Sequence, residues 1–287
     1  MSTIFARLAG GLGNQLFQFA AAIALRGDQS DAVYLGTASL NRYRVKRAFD
    51  MARLLELPSW CVTDERLQPY TAIATRLMAI RIGRLLPFGG ISDRNFQKAL
   101  AARKRNGGSR TLWLDGYFQQ GWDWPTFRTP LELISSMQRR DLPVPAPLAA
   151  DCVIHMRGAD FLASAVHCVV DANYYIRAMD TARTRLPEIK TARVVTDDRD
   201  YAAAMLSRIS AAHPAIHFEF SSDKHTTWLQ DFMLMRQARS RIVGNSTFSW
   251  WAAALDSNRA LTVSPTHWTR GVPRDLFLPW EVSLPVG

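Results

Sequence analysis

The chain reads as an α/β protein in two halves, and three observations predict it. Short apolar runs of strand length alternate with segments whose apolar residues recur at helical spacing. In the second half the alternation runs from Cys152 to Val263, the pattern of a doubly wound parallel sheet. Between the halves lies Leu142-Pro143-Val144-Pro145-Ala146-Pro147, too proline-dense for a helix interior. It sets a first domain at 1–147 and a second at 148–287, with the last residues free to pack back on the first.

Ile4 to Leu8 is a first strand. Gly10-Gly11-Leu12-Gly13-Asn14-Gln15 follows, and then Leu16, Phe17, Ala20, Ile23 and Ala24 recur as on a helix. A glycine-rich loop thus joins a strand to a helix N-terminus, where backbone N–H groups and the helix dipole favour a phosphate. The loop lacks the third Gly of a dinucleotide fingerprint and the Gly-Lys-Ser/Thr of a Walker loop. A tight turn capped by Asn14 or Gln15 reads equally well from these residues alone. Ala32 to Leu35 is a second strand, and Phe49, Met51, Leu54 and Leu55 are core candidates.

Tyr70 to Leu86 is a basic amphipathic helix with Arg76, Arg81 and Arg84 between apolar residues. Its apolar side is expected on its own domain, while its charge also admits peripheral contact with a membrane surface. Lys98 to Arg110 reads as a basic surface loop. Thr111 to Leu114 is a strand leading into Asp115-Gly116-Tyr117-Phe118-Gln119-Gln120, whose aromatic and amide groups suit the face of a sugar, or an ordinary turn.

The second half opens on Asp151-Cys152-Val153-Ile154-His155-Met156-Arg157-Gly158-Ala159-Asp160, a buried strand breaking into His-x-Arg-x-x-Asp. Strands follow at Ala192–Thr196, Ile216–Phe220 and Arg241–Gly244, with Ala260–Val263 as the last. Helices lie between them, after Asp171, over Tyr201–Ala211, over Trp228–Ala238 and over Phe248–Leu255. The strand ends carry His155, Arg157 and Asp160; Asp197 and Asp198; Asn245, Ser246 and Thr247. In an open α/β sheet such ends converge on one crevice. Arg157 can grip a diphosphate bidentately, and Ser246 and Thr247 open a helix N-terminus suited to phosphate. Asp197, Asp198 or Asp231 can hold a ribose hydroxyl or a base N–H. The composite is a nucleoside-diphosphate site.

Asp198-Arg199-Asp200 also spells Asp-x-Asp, a metal-binding string in some glycosyltransferases. Here Asp197 reads as a strand end and Asp198 or Asp200 as the cap of the next helix, so no metal site is expected. His155 also reads as a core histidine, and His213, His217, His225 and His267 have no partner pattern.

Composition narrows the classes. The 287 residues hold no run of ~20 apolar residues that would span a membrane, and the N-terminus has no secretory pattern. The three cysteines, Cys61, Cys152 and Cys168, fit neither a disulfide framework nor a zinc site, so a reducing cytoplasm is expected. The net charge of +10, mostly from Arg, points to an acidic partner. No nucleic-acid module or clustered basic helix accompanies it, so that partner is expected to be a phosphate-bearing substrate.

The motifs Gly10-Gly11-Leu12-Gly13-Asn14-Gln15-Leu16-Phe17-Gln18, Asp115-Gly116-Tyr117-Phe118-Gln119, His155-Met156-Arg157-Gly158-Ala159-Asp160, Thr196-Asp197-Asp198 and Asn245-Ser246-Thr247-Phe248-Ser249-Trp250-Trp251 occur in this order. With them the chain closely resembles the α1,2-fucosyltransferases of the bacterial type, within the wider group of α1,6- and protein O-fucosyltransferases. The last string is the most specific, and the likeness runs from residue 4 to about residue 280.

The resemblance implies a GT-B-like fold, two Rossmann-like domains facing a cleft. It implies inverting transfer of L-fucose from GDP-fucose, without a bound metal or other cofactor. The acceptor would be the 2-OH of a terminal galactose in an oligosaccharide or lipid-linked glycan. Arg157 would stabilise departing GDP, and Asp160 is the candidate base, or else the salt-bridge partner of Arg157. Gly11, Gly13, Asn14, His155, Asp197, Asp198, Asp231, Asn245, Ser246, Thr247 and Ser249 would bind the donor. Tyr117 and Gln119 would meet the acceptor. One departure stands out: the family usually has Arg-Arg-Gly-Asp where this chain has Arg157-Gly158-Ala159-Asp160. A lost phosphate contact would cost ~1.5–3 kcal/mol, which raises altered donor use, or binding without turnover, as an alternative.

Overall fold

The computed structural model describes residues 3–26, 32–40, 47–63, 89–106, 111–143, 151–162, 164–168, 170–221 and 227–286. The expected basic helix over 70–86 lies outside them, as does His225. The chain divides into two compact units, Met1–Asp141 and Leu142–Gly287, a division just before the proline-dense stretch.

The first unit is a five-stranded parallel sheet in the order β3-β2-β1-β5-β4. Its strands are β1 (Thr3–Arg7), β2 (Ala32–Gly36), β3 (Cys61–Thr63), β4 (Gly89–Ile91) and β5 (Leu112–Leu114). Its helices are α1 (Leu12–Arg26), the single turn α2 (Met51–Leu54), α3 (Phe96–Asn106) and α4 (Trp124–Ser136). Helix α1 is apolar nearly all round and buried over most of its length, as expected of a helix inside a unit rather than on its surface. Asp123 starts α4 by accepting from the Thr126 amide at 2.7 Å, with Pro125 in the first turn, where its missing N–H costs nothing.

The expected loop over Lys98–Arg110 is instead mostly helix, since α3 runs through Asn106. Phe96 and Leu100, one turn apart, are both buried, and alanines separate them from Arg103-Lys104-Arg105 in the last turn. Cations there complement the negative end of the helix dipole, so the basic run terminates a helix rather than preventing one.

The second unit is a six-stranded parallel sheet in the order β13-β10-β9-β6-β7-β8. Its strands are β6 (Cys152–Met156), β7 (Thr191–Thr196), β8 (His217–Phe220), β9 (Ser240–Ile242), β10 (Leu261–Pro265) and β13 (Glu281–Leu284). The helices are α5 (Ala172–Arg185), α6 (Arg199–Ala212), α7 (Trp228–Arg236) and α8 (Thr247–Ala254). All five residues of β6 are buried, which is why it reads as a continuous apolar run rather than an alternating one. Three of these helices start on a side-chain cap: Asp171 on Tyr174, Asp198 on Tyr201, and a Thr227–Gln230 capping box.

Ala260–Val263 is not the last strand. A small antiparallel hairpin, β11 (His267–Thr269) and β12 (Val272–Pro273), follows β10, and β13 then returns to pair with it. Residues Glu281–Leu284 therefore complete the second sheet. These elements are three or four residues or fewer and sit among polar residues and prolines, so they carry little periodicity to read.

Candidate active site

In each unit the sequence puts its motifs at the carboxyl end of the strand where the order reverses, β1 and β6. In the second unit β6 ends at Met156, level with Thr196 on β7. The chain then turns through Arg157 and Gly158 into one 3₁₀ turn, Ala159–Phe161. The carboxylates ending β7 hold this turn. Asp197 forms an ion pair with the Arg157 guanidinium and accepts from the Gly158 amide at 3.0 Å. Asp198 accepts from the Ala159 amide at 3.0 Å and, with its other oxygen, from Tyr201 at 3.0 Å. These backbone N–H bonds keep the Asp198 carboxyl below its usual range.

Gly158 is where the resemblance expects a second Arg. A Cβ there would lie 2.7 Å from the Asp198 Cβ and 3.0 Å from the Tyr201 ring. Ala159 takes a left-handed φ of 43°, rare for a residue with a side chain. The turn is therefore tight as well as gripped. The guanidinium of Arg157 lies over the Phe161 ring, 4.9 Å from its centroid. Phe161 in turn stacks on His167, centroids 4.0 Å apart and planes 12° apart. Asp197 is thus one partner of Arg157; the Asp160 side chain lies outside the described residues.

His155, the penultimate residue of β6, is 5 % exposed, and its Nδ1 is buried without a partner. Burial, and then the charge of Arg157, pull its pKa down to about 3, so the imidazole is neutral at pH 7. Its ring neighbours Phe248 at 6.1 Å, and Phe248 meets Phe232 edge-on at 5.3 Å. Asp231 precedes Phe232 in the first turn of α7. Ser221, just past β8, donates to Asp231 at 3.2 Å. Burial nevertheless raises its pKa to about 6, against the lowering effect of that hydrogen bond. A row of rings thus links the histidine to a desolvated carboxyl at the same end of the sheet.

The Asn245-Ser246-Thr247 string lies between β9 and α8. Asn245 donates through Nδ2 to the Cys168 carbonyl. Ser246 holds the N-cap position of α8 without a side-chain cap bond of its own. Ser249 is fully buried, and its hydroxyl donates to the Ser246 carbonyl at 3.2 Å, so it braces this loop.

In the first unit the Gly loop differs in detail from its reading. Gly10 is the residue that must be Gly: its φ is +78°, and a Cβ would fall 2.3 Å from Asn14 Nδ2. Gly11 faces open space, while Gly13 is buried within α1. Two buried amides fasten the loop. Gln15 donates to Gly10 and Ala48 carbonyls at 3.1 and 2.9 Å and accepts from Met51 at 3.1 Å. Gln18 accepts from Ala9 at 2.9 Å and donates to Gly116 at 3.0 Å.

Gln119 Nε2 donates to Asn14 Oδ1 at 2.8 Å, which joins the Gly loop to the Tyr117 loop. Asp93 accepts from the Tyr117 amide at 3.1 Å and from the Phe118 amide, holding Tyr117 out at 40 % exposure. Asp93, Phe161 and His167 escape sequence reasoning. Phe161 had an available signal in its place beside the His-x-Arg motif, but Asp93 and His167 act across 24 and 6 residues respectively, with no local pattern. Among the described residues no three His, Cys, Asp or Glu side chains gather as around a metal ion, and no helix is long and apolar enough to cross a membrane.

Glycosyl transferase family 11 matches residues 97–272. The chain is 22 % identical over 279 residues to alpha-1,2-colitosyltransferase of Escherichia coli, covering 93 % of each chain. In structure it is similar to NodZ alpha-1,6-fucosyltransferase soaked with GDP-fucose, with a TM-score of 0.53 at 14 % identity, covering 90 % of this chain and 96 % of that one. It is similar as well to POFUT1 in complex with GDP, with a TM-score of 0.53 at 11 % identity, covering 100 % and 98 %. These likenesses give the architecture: α/β units of the GT-B kind.

Proposed function

This chain belongs to glycosyl transferase family 11, and from that membership we propose that it moves L-fucose from GDP-fucose to a hydroxyl of a glycan, the 2-OH of a terminal galactose, with inversion. The observation that carries this reading is Arg157, set at the end of β6 by the Asp197 ion pair, while α8 starts on Ser246 just past the neighbouring strand β9. A diphosphate there meets a guanidinium and helix amides together. The acceptor oxygen bonds to the anomeric carbon as the bond from that carbon to the β-phosphate oxygen breaks. Its electron pair passes to GDP, where Arg157 stabilises the growing charge. Asp160 takes the acceptor proton.

His155, Asn245, Ser246 and Thr247 line the donor site, with Asp197 and Asp198 bracing the Arg157 turn and Ser249 bracing the loop. Asp231 accepts the N–H groups of the base; its ready-made desolvation supports that role. Gly11, Gly13 and Asn14 are the first unit's donor contacts, and Tyr117 and Gln119 its acceptor contacts. The acceptor is an oligosaccharide or lipid-linked glycan met in the cytoplasm or at the inner face of the membrane, and nucleic acid is not a partner.

Incubation with GDP-fucose and galactose-terminated acceptors, without added metal and then with EDTA, tests the reading. Fucosylated product by mass spectrometry, unchanged by EDTA, is expected. The absence of both product and calorimetric GDP binding would overturn it. A second reading, altered donor use or binding without turnover, is favoured by one observation: Asp198 occupies the space a side chain at position 158 would need. GDP binding without fucosyl transfer, followed by transfer from a different GDP-linked deoxyhexose, would select it.

A further inference from the structure

We propose that Phe161 and His167 are positioning residues for the transfer step, a stacked two-ring platform that fixes the plane of the Arg157 guanidinium. The inference rests on the reading of Arg157 as the group that stabilises departing diphosphate. An Arg side chain has many rotamers, and bidentate contact with phosphate requires one plane. Asp197 grips the guanidinium through charge, but an ion pair by itself permits swivelling about the contact. A flat ring under the cation sets the missing coordinate, and Phe161 supplies it at 4.9 Å.

Phe161 is itself pinned. The His167 ring stacks on it at 4.0 Å, nearly parallel. The His167 ring is fixed at Nδ1 by the Ser164 hydroxyl, at 2.8 Å. That hydroxyl also accepts from the Val166 and His167 amides at 3.2 Å, so one serine organises the whole short loop. The His167 backbone is then anchored to the C-terminal hairpin. It forms a bridge with Thr269, and its carbonyl accepts from Arg270 Nε at 3.1 Å. Cys168 adds a bond to the Trp268 carbonyl at 3.1 Å. The chain of contacts runs from hairpin to His167 to Phe161 to Arg157, each link a defined geometry, and none of its members after Arg157 need touch the donor.

The test is a double-mutant cycle on steady-state transfer, with Arg157→Lys as the second site. Lys keeps the charge but has no plane to be set. In the native background Phe161→Leu is expected to lower kcat roughly 10-fold, the size of a desolvated cation–ring contact, with donor KM changed less than about 3-fold. Phe161→Tyr should restore the rate, and His167→Ala should lower kcat in the same direction by less. In the Arg157→Lys background Phe161→Leu should cost little more. An equal loss from Phe161→Leu in both backgrounds would overturn the proposal, as would full activity of Phe161→Leu. Full activity of Arg157→Lys and Arg157→Ala would instead overturn the reading of the active site, so the two failures are distinguishable. Thermal unfolding of each variant separates a loss of kcat from a loss of fold.

Discussion

Arg157 shows how one side chain is held by others both near and far in sequence. Asp197 lies 40 residues on, and Phe161 and His167 lie on the far side of a strained turn. Arg157→Ala should therefore lower transfer by at least ~10²-fold, the loss typical of a preorganised charge-stabilising group, with the circular-dichroism spectrum unchanged; a fully active variant would refute its role. Asp231 gives a pH prediction. Its pKa is about 6 in the folded chain against an ordinary carboxyl value of 3.8. Between those values the folded state keeps a proton that the unfolded state has released, so stability from this group falls as pH rises from about 4 to 6. The base-binding role proposed for Asp231 needs the opposite, ionised form. GDP affinity by calorimetry should weaken as pH drops through about 6, and the step should vanish in Asp231→Asn. His155 acts with the other sign: held neutral down to about 3, it withdraws stability as pH falls below the ordinary imidazole value of 6.5. The motif residues were legible in the sequence because charged and amide groups at strand ends are conspicuous. What was not legible is how each is packed: Ser249 and Gly13 stand out in their motifs, and both are buried.

At the scale of elements, turns and caps decide where the site residues point. Gly10→Ala should destabilise the first unit by about 1–3 kcal/mol, since it forces a left-handed side chain against Asn14; urea unfolding would measure it, and Gly11→Ala, facing open space, is the control expected to cost much less. Asp198→Ala removes the α6 cap and the Ala159 bond together. A lower unfolding midpoint and a raised donor KM should appear in the same variant, because the cap and the Arg157 turn share one carboxylate. The helices of the second unit were readable from Asp171, Asp198 and Ser246 before apolar runs. Helix α3 was not, because a basic run and the glycines after it suggested a loop. Burial of Phe96 and Leu100 outweighed both.

At the scale of the whole molecule, the second unit is closed by a buried charge network that no sequence motif announces. Arg274 and Glu281 pair at 3 % and 1 % side-chain exposure. Ser264 and Trp250 also donate to Glu281, at 2.8 and 3.2 Å, and Arg274 lies over Trp268 and Phe277. This fastens β13 and the hairpin to α8. Glu281→Ala, which strands a buried guanidinium, should cost about 3–5 kcal/mol, seen as an earlier thermal transition. The two-unit α/β plan itself was legible, because alternating periodicities survive any error in the details, whereas three-residue strands such as β3, β4 and β11 are too short for a period to register. The strand order carries a consequence for how the chain is made. Strand β6 is synthesised first in its sheet and ends up inside it, between β7 and β9. One flank is filled after β7 emerges, but the other waits until Ser240–Ile242 has left the ribosome. For that interval a strand buried along its whole length in the finished sheet has an open edge, and parallel pairing over such sequence distances is slow to close. Placing β6 at the middle of the sheet thus leaves the nascent second unit with an unpaired, largely apolar strand edge throughout the stretch of synthesis before β9.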